Sequence, residues 1–209
     1  PPCGGKMASE LQTNFRVRSS ATECLFMQHI MRNLAKGGRA AVIIPEGVLF
    51  RGGSDQKVRQ ELLENFNVHT ILSLPAGCFL PYTGVKTNVL FFDRPETEPK
   101  AGKLATKNVW YYELTNDGFE LKQTRRPIDG DQLPDFLKKW KKRTKSDNSW
   151  VVPIDEIIER GYDLSAKNQN RKNNIEHRPA LELVQSVRAK EERIMDLLGE
   201  LEQVLEVGE

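Results

Sequence analysis

The sequence contains little cysteine and little histidine, three of each in 209 residues. Cys3, Cys24 and Cys78 lie far apart, so no pair has the short spacing of a zinc knuckle or a redox dithiol. A sparse, odd cysteine count is typical of a reducing compartment, so we expect a cytoplasmic protein without a metal site. Because Cys24 and Cys78 stand among apolar residues, ordinary buried thiols are favoured over nucleophiles.

The chain also lacks a long apolar run. None approaches the ~20 residues that a membrane-spanning helix needs, and polar residues interrupt the first ten positions, so we expect no membrane association and no signal peptide. The 31 Lys and Arg nearly balance the 29 Asp and Glu, which neither requires nor excludes a nucleic-acid partner. Since the first methionine is Met7, we expect the sequence to be part of a longer chain.

Predicted helices and strands alternate in the first half of the chain. Ser20 and Glu23 have the spacing of a capping box, which predicts a helix over residues 20–34. A second helix is predicted to begin at Ser54 or Asp55. Short apolar runs predict three strands, at residues 39–44, 68–74 and 85–92. This alternation predicts an α/β fold with a largely parallel sheet.

The second half is predicted to contain shorter elements. A strand at 109–114 is followed by the turn sequence Asn116-Asp117-Gly118, which predicts a hairpin into residues 119–121. A basic helix is predicted to open at Pro134, because proline suits the first turn of a helix. Residues 150–158 fit either a short strand or a helix.

A basic run surrounds Trp140 in this second half. It consists of Lys138, Lys139, Lys141, Lys142 and Arg143. Two interpretations remain open: these side chains contact phosphate groups, or they form a solvated helix face with Trp140 buried beneath it.

The segment after Pro179 has the clearest periodicity. Its apolar positions follow steps of four and three residues, interrupted at Glu191, and are Ala180, Val184, Val187, Ile194, Leu198, Leu201 and Leu205. Such a heptad seam predicts a long, coiled-coil-like helix. The helix could pack on its own domain, but its narrow stripe and charged flanks favour docking on another chain.

Several segments, in order, resemble the modification (M) subunits of type I restriction-modification enzymes. PPCGGK, residues 1–6, resembles the end of the Asn-Pro-Pro-aromatic motif of amino-methylating DNA methyltransferases. Residues 22–50 and 58–92 resemble the segments that follow this motif, and the second contains PAGCFLPYTGVKTNVLFF. GYDLSAKNQN, residues 161–170, is similar to a signature near the end of those subunits. The resemblance covers nearly the whole chain.

The resemblance implies an enzyme and its partners. It implies a Rossmann-like methyltransferase sheet, S-adenosylmethionine as cofactor and adenine N6 of double-stranded DNA as acceptor, with the adenine flipped out of the duplex. It also implies a specificity (S) subunit, a second M subunit and, in the nuclease, a restriction (R) subunit. Residues 1–128 would then be the C-terminal part of the catalytic domain, 129–178 a basic linker and helical region, and 179–209 a helix for subunit association.

The resemblance assigns catalysis to the start of the chain. Pro1, Pro2 and Cys3 stand where the motif ends, and the carbonyl of Pro1 would accept a hydrogen bond from the adenine amine, which helps to localise its lone pair. Cys3 occupies the aromatic position and cannot stack on a base, so either another residue, with Phe15 and Tyr82 as candidates, supplies the stacking or base capture is weakened. Because the motif asparagine and the main cofactor motif would lie upstream, we expect these 209 residues to be inactive alone.

A loop and strand at residues 81–88 supply further candidates. Tyr82, Lys86, Thr87 and Asn88 are predicted to line the base pocket or to face DNA, although a purely structural hairpin is the alternative. Residues 45–47 follow a buried strand, where open α/β sheets place ligand-facing groups, and a simple turn is the alternative there. The competing function for the whole chain is a non-catalytic DNA-binding or assembly module that docks on a specificity subunit, as Cys3 suggests.

Overall fold

The computed structural model describes residues 4–100, 102–165, 168, 170 and 180–206. The predicted catalytic residues Pro1, Pro2 and Cys3 lie outside these ranges. The chain divides into two units, 1–171 and 172–209. Among the described residues, no helix is both long and apolar enough to cross a membrane.

The first unit contains six helices and five strands within its described residues. The helices are α1 Ser9–Gln12, α2 Thr22–Asn33, α3 Gly47–Phe50, α4 Ser54–Asn65, α5 Leu133–Trp140 and α6 Ile154–Glu159. The strands are β1 Arg39–Pro45, β2 Asn67–Ser73, β3 Thr87–Asp93, β4 Asn108–Glu113 and β5 Ser149–Pro153. The fold is therefore mixed α/β, and the predicted helices and strands of the first half are confirmed to within a few residues.

The five strands form one sheet in the order β1-β3-β2-β4-β5. Only β2 and β4 pair in parallel, whereas β3 is antiparallel to both neighbours and β5 is antiparallel to β4. The prediction of a largely parallel sheet is wrong. The loop between β2 and β3 contains no helix to carry the chain back across the sheet, so β3 returns antiparallel between β1 and β2.

Each face of the sheet has its own core. One face packs against α2 and α4 and buries Leu62, Leu63, Val68 and Phe92. The other packs against α5 through the aromatic side chains of Trp110, Tyr112 and Phe136. Two covered faces explain why the central strands are apolar throughout, a pattern that suggested a parallel sheet.

The predicted capping box at the start of α2 does not form. The helix begins at Thr22, and the N–H of Ala21 donates to the Ser19 hydroxyl at 3.1 Å. Glu23 Oε1 instead accepts a hydrogen bond from the distant Gly4 N–H, at 2.8 Å. The prediction of a capping box is therefore wrong, because the carboxylate of Glu23 accepts a hydrogen bond from a residue distant in sequence.

The second half departs from its prediction in one turn. The Gly118 N–H donates to Asn116 Oδ1, so the turn is present, but residues 119–127 form a loop with one isolated bridge rather than a hairpin. Pro134 lies in the first turn of α5, as predicted. Residues 149–159 supply both of the predicted alternatives, strand β5 and helix α6.

The second unit contains helix α7, Ala180–Glu206. Its seam positions Val184, Val187, Ile194 and Leu198 are exposed. The side chains of Leu201 and Leu205 lie outside the described residues. The helix is confirmed, and its coiled-coil character stays a prediction.

His69 on β2 makes the stability of the first unit sensitive to pH. Burial lowers the pKa of His69, Asp93 at 3.5 Å opposes this by favouring the cation, and Arg143 adds to the lowering. The unfolded chain therefore takes up a proton at a higher pH than the folded chain. The contribution of His69 to stability is therefore expected to be complete above the ordinary histidine pKa of about 6.5 and to fall as the pH drops below it, by at most about 1.4 kcal/mol per pH unit.

We expect His69→Gln to remove this acid sensitivity. Urea unfolding of the full-length protein at pH 7.5 and pH 5.5 measures it. His29→Gln, at an exposed position on α2, is the control and should keep the wild-type difference. An unchanged difference in His69→Gln would show that another group is responsible.

Candidate functional site

The carboxyl ends of β1 and β2 meet the start of β3 at one edge of the sheet. Pro45 lies opposite Thr87, and Asn88 lies between Ile44 and Ser73. Two backbone hydrogen bonds extend these ladders, from Glu46 N–H to the Lys86 carbonyl at 2.9 Å and from Leu74 N–H to the Thr87 carbonyl at 3.0 Å. We call residues 44–46, 73–74 and 86–88 the carboxyl edge.

Three of the predicted site residues lie together on this edge. Lys86 Nζ is 2.9 Å from Glu46 Oε1, so the cation is paired across β1 and β3. Thr87 is buried and its hydroxyl lies 3.8 Å from Cys78 Sγ. Asn88 is 2% exposed, and its Nδ2 has no hydrogen-bond partner within the described chain. A buried donor without a partner is rare in folded proteins, which marks Asn88 as a candidate functional residue.

Tyr82 projects from the loop that joins β2 to β3. It is 93% exposed, which suits contact with a large partner rather than core packing. Arg125 holds this loop: its guanidinium donates to the Cys78 carbonyl and pairs with Asp117 at 2.5 Å, and it lies over the Phe119 ring. This role of Arg125 was not predicted, because nothing in the spacing of the sequence shows that the 117–125 loop folds back onto residue 78.

The segment directly after the predicted catalytic motif is fixed to α2. Besides the bond from Gly4 to Glu23, the N–H and the hydroxyl of Thr22 both donate to the Gly5 carbonyl, each at 3.2 Å. The start of α2 also adjoins α4, where Ser54 Oγ donates to Ser19 Oγ at 3.2 Å. The contact between Glu23 and Gly4 was not predicted, because the spacing of Glu23 from Ser20 indicated a helix cap.

Phe15 lies away from the other candidates. It lines a cleft of about 570 Å³ together with Met31, Phe66 and Arg94. Arg94 directly follows β3, whereas Thr87 begins it, and a strand of this length separates the two ends by about 20 Å. The structure therefore does not bring Phe15 to the carboxyl edge.

The basic run also lies toward that opposite end. Trp140 packs on Phe91, with ring centroids 5.2 Å apart, and donates from Nε1 to the Thr70 hydroxyl at 3.1 Å. Lys139 pairs with Asp135 at 2.6 Å. The exposed members are Lys138, Lys141, Lys142 and Arg143. This agrees with a solvated helix face over a packed Trp140, and phosphate contact stays a prediction.

The described thiols are not poised for nucleophilic attack. Burial raises the pKa of Cys24 to about 11, and burial also raises the pKa of Cys78. Both sulfurs are therefore protonated near neutral pH, when only the thiolate is an effective nucleophile. No group of metal-ligating side chains occurs among the described residues. The polar groups of the carboxyl edge suit binding and hydrogen bonding.

Known proteins resemble this chain over most of its length. It is 34% identical over 98% of its residues to the EcoEI type I restriction enzyme methylase subunit of Escherichia coli, of which it covers 42%. A structure from a study of complex assembly and conformational transition in a type I R-M system matches all of the chain with a TM-score of 0.71 and 39% identity, over 44% of that protein.

A crystal structure of a type I modification subunit from Vibrio vulnificus YJ016 matches 85% of the chain with a TM-score of 0.72 and 36% identity, over 38% of that protein. The chain thus spans less than half the length of each of these relatives. The resemblance to type I modification subunits is confirmed. Residues 5–178 match the N-6 DNA Methylase family, and the chain belongs to that family.

Proposed function

We propose that this chain is part of a type I modification subunit that methylates adenine N6 in DNA with S-adenosylmethionine. The proposal is supported by the match of residues 5–178 to the N-6 DNA Methylase family and by the carboxyl edge, where Lys86, Thr87 and Asn88 lie together. Lys86 and Asn88 at this edge offer a cation and an amide donor, and Tyr82 on the loop between β2 and β3 offers a ring. These are the groups that a flipped base and its backbone require.

The chemistry that this chain supplies is orientation of the acceptor amine. By the family resemblance, the carbonyl of Pro1 would accept a hydrogen bond from the amine, and this helps to localise the nitrogen lone pair that attacks the methyl group. Proline fixes its own backbone angle and has no N–H that competes for the base. Holding the amine in line supplies much of the rate, because misplacement by about 1 Å can cost about 100-fold.

The described residues do not fit S-adenosylmethionine by themselves. At the carboxyl edge Glu46 is already paired with Lys86, and Thr87 and Asn88 are buried, so these side chains do not form a pocket for a molecule of that size. We assign the main cofactor site to the part of the relatives that this chain does not span. The 209 residues alone are therefore expected to be inactive.

The outer side of β1 supports a sheet that continues in the full-length protein. Within the described chain, the free edge of β1 has no partner strand. Ala41 and Ile43 on one face of this strand are exposed, and Ile43 keeps 40% of its surface accessible. An apolar edge strand left open invites pairing with another strand.

Methyl transfer by the full-length subunit with its specificity subunit tests the proposal. We expect N6-methyladenine in double-stranded DNA, measured by mass spectrometry after incubation with S-adenosylmethionine. DNA methylated beforehand at adenine N6 is the control substrate, and the 209-residue chain is expected to give no product. Absence of transfer by the full-length complex would contradict the proposal. Association without transfer would favour the non-catalytic assembly module.

A further inference from the structure

We propose that the cleft around Phe15 binds a nucleotide, either free or within a single strand, with the base on the Phe15 ring and the phosphate beside Arg32 and Lys36. The inference goes beyond the proposed function, because the Arg94 wall of this cleft lies about 20 Å from the carboxyl edge, at the other end of β3. The cleft volume of about 570 Å³ is within the range of about 300–1,000 Å³ that small-molecule sites occupy.

Hydrogen bonds within the first unit hold the walls of the cleft. Gln28 is 8% exposed and fixes the segment that carries Phe15: its Oε1 accepts the Val17 N–H and its Nε2 donates to the Val17 carbonyl, each at 2.9 Å. Arg94, also in the lining, donates to the Leu34 carbonyl at 2.6 Å. A lining that is ordered in advance lowers the entropic cost of binding a ligand.

Cations outnumber carboxylates in the lining of the cleft. The charged side chains there are the cations Arg16, Arg32, Lys36 and Arg94 and the carboxylates Glu61 and Glu98. Arg16 is paired with Glu61 at 3.4 Å. Arg32 and Lys36 are exposed and form no ion pair with any residue that the structure describes, and the same holds for Glu98. The remaining excess of positive charge attracts an anionic group such as phosphate.

The end of helix α2 does not account for these two cations. Carbonyl groups in the last turn of a helix attract positive charge. Arg94 already meets this requirement through its hydrogen bond to the Leu34 carbonyl, at the C-terminal end of α2. The exposed side chains of Arg32 and Lys36 therefore remain available to a ligand.

Phe15 supplies an aromatic face in the same cleft. Its side chain is half-buried and packs on no other aromatic ring within the described part of the chain. The other ring in the lining, Phe66, is already packed edge-on against Phe92, with centroids 5.7 Å apart. Aromatic rings beside cations bind bases and phosphates together. An acidic peptide would use only the cations, so a nucleotide fits the lining better.

Titration calorimetry of the full-length subunit with ADP tests the proposal. Saturating S-adenosylmethionine is present throughout, so that ADP does not enter the main cofactor site. We expect ADP to bind, and to bind more weakly as NaCl is added, because salt screens the cations. Pyrophosphate should bind about 10-fold more weakly than ADP, because it has no base to stack. A short single-stranded oligothymidine, titrated separately, distinguishes the two sources, since tighter binding than that of ADP identifies a strand.

Two sets of variants remove the two contacts separately. Phe15→Leu should weaken ADP binding by about 10-fold, as loss of a base stack does, and leave pyrophosphate binding unchanged. The double variant Arg32→Gln with Lys36→Gln should weaken binding of both ligands by about 10-fold and reduce the effect of NaCl. Because both cations are exposed, this double variant should melt at the wild-type temperature and keeps the test valid if Phe15→Leu does not fold.

Matched controls make the same exchanges outside the cleft. Phe50→Leu changes an aromatic side chain that is 51% exposed on α3. Arg18→Gln with Lys57→Gln removes two exposed cations that do not line the cleft. Both controls should bind ADP as the wild type does.

The outcomes separate this inference from the proposed function. A wild type that binds neither ADP nor the oligothymidine would overturn the inference. Equal affinities for ADP and pyrophosphate, or cleft variants that bind as tightly as their controls, would also overturn it. Methyl transfer, measured separately on the wild-type complex, decides the proposed function whichever way the titrations turn out.

Discussion

Asn88→Leu is expected to reduce methyl transfer by the full-length complex by about 100-fold while leaving the protein at least as stable, because a preorganised donor is lost. The variant is expected to be at least as stable as the wild type because Nδ2 of this 2%-exposed side chain is unpaired. A buried donor without a partner costs about 1–3 kcal/mol, and leucine, which is similar in size, removes that cost. Such a residue lowers stability where it stands, which is typical of a functional group.

Thermal unfolding and methyl transfer, measured on the same preparations, check this expectation. Asn108→Leu makes the same exchange at an exposed position at the start of β4, away from the carboxyl edge, and should leave the rate unchanged. A marked fall in the melting temperature of Asn88→Leu would show that the amide supports the fold. A rate equal to that of Asn108→Leu would remove Asn88 from the site.

Substitution of apolar residues on the α7 seam by charged residues is expected to prevent docking on the specificity subunit. Val187 is 63% and Ile194 57% exposed, although both are apolar and lie on one stripe. The double variant Val187→Asp with Ile194→Asp would place two charges in an apolar contact, which is strongly unfavourable. We expect association to weaken by at least about 100-fold, or about 2.8 kcal/mol.

Co-purification and titration calorimetry of the two subunits measure this loss. Gln185→Asp with Ala189→Asp puts the same charges on the same helix outside the seam and should bind as the wild type does. Helix content by circular dichroism should match between the two double variants. Wild-type affinity in the seam variant would show that α7 packs on its own domain or serves another purpose.

Local sequence was enough to place most helices and strands. Residues 54–65 have the apolar spacing of a helix and residues 39–45 are a β-branched run, and each element packs against a single neighbouring layer. Helix α4 and strand β1 therefore follow from composition and periodicity. Pro134 predicted the start of α5 correctly, because the preference of proline for a first turn is local.

Strand direction depended on contacts that the periodicity does not encode. A run such as 87–93 is apolar because both faces of the sheet are covered. A strand with both faces covered is apolar whether the strands beside it run parallel or antiparallel. The order in which β3 inserts between β1 and β2 is set by a loop, so alternation of elements predicted the wrong pairing.

For the candidate site too, local sequence predicted one part and tertiary contacts decided the rest. Tyr82, Lys86, Thr87 and Asn88 were predicted together because they are neighbours in sequence, and the carboxyl edge accommodates the last three of them. Phe15 was predicted with them by residue type alone, and the structure places it at the other end of β3. A stacking residue is recognised only when its distance from the site is known.

By itself, the sequence determined the family, the elements and the ordered motifs, because these depend on residue identity and short-range spacing. The tertiary structure alone decided that Glu23 reaches Gly4 rather than its own helix start, and that Arg125 holds the loop of Tyr82. Both contacts join residues with several possible partners, and the folded chain selects among them by bringing one within hydrogen-bond distance.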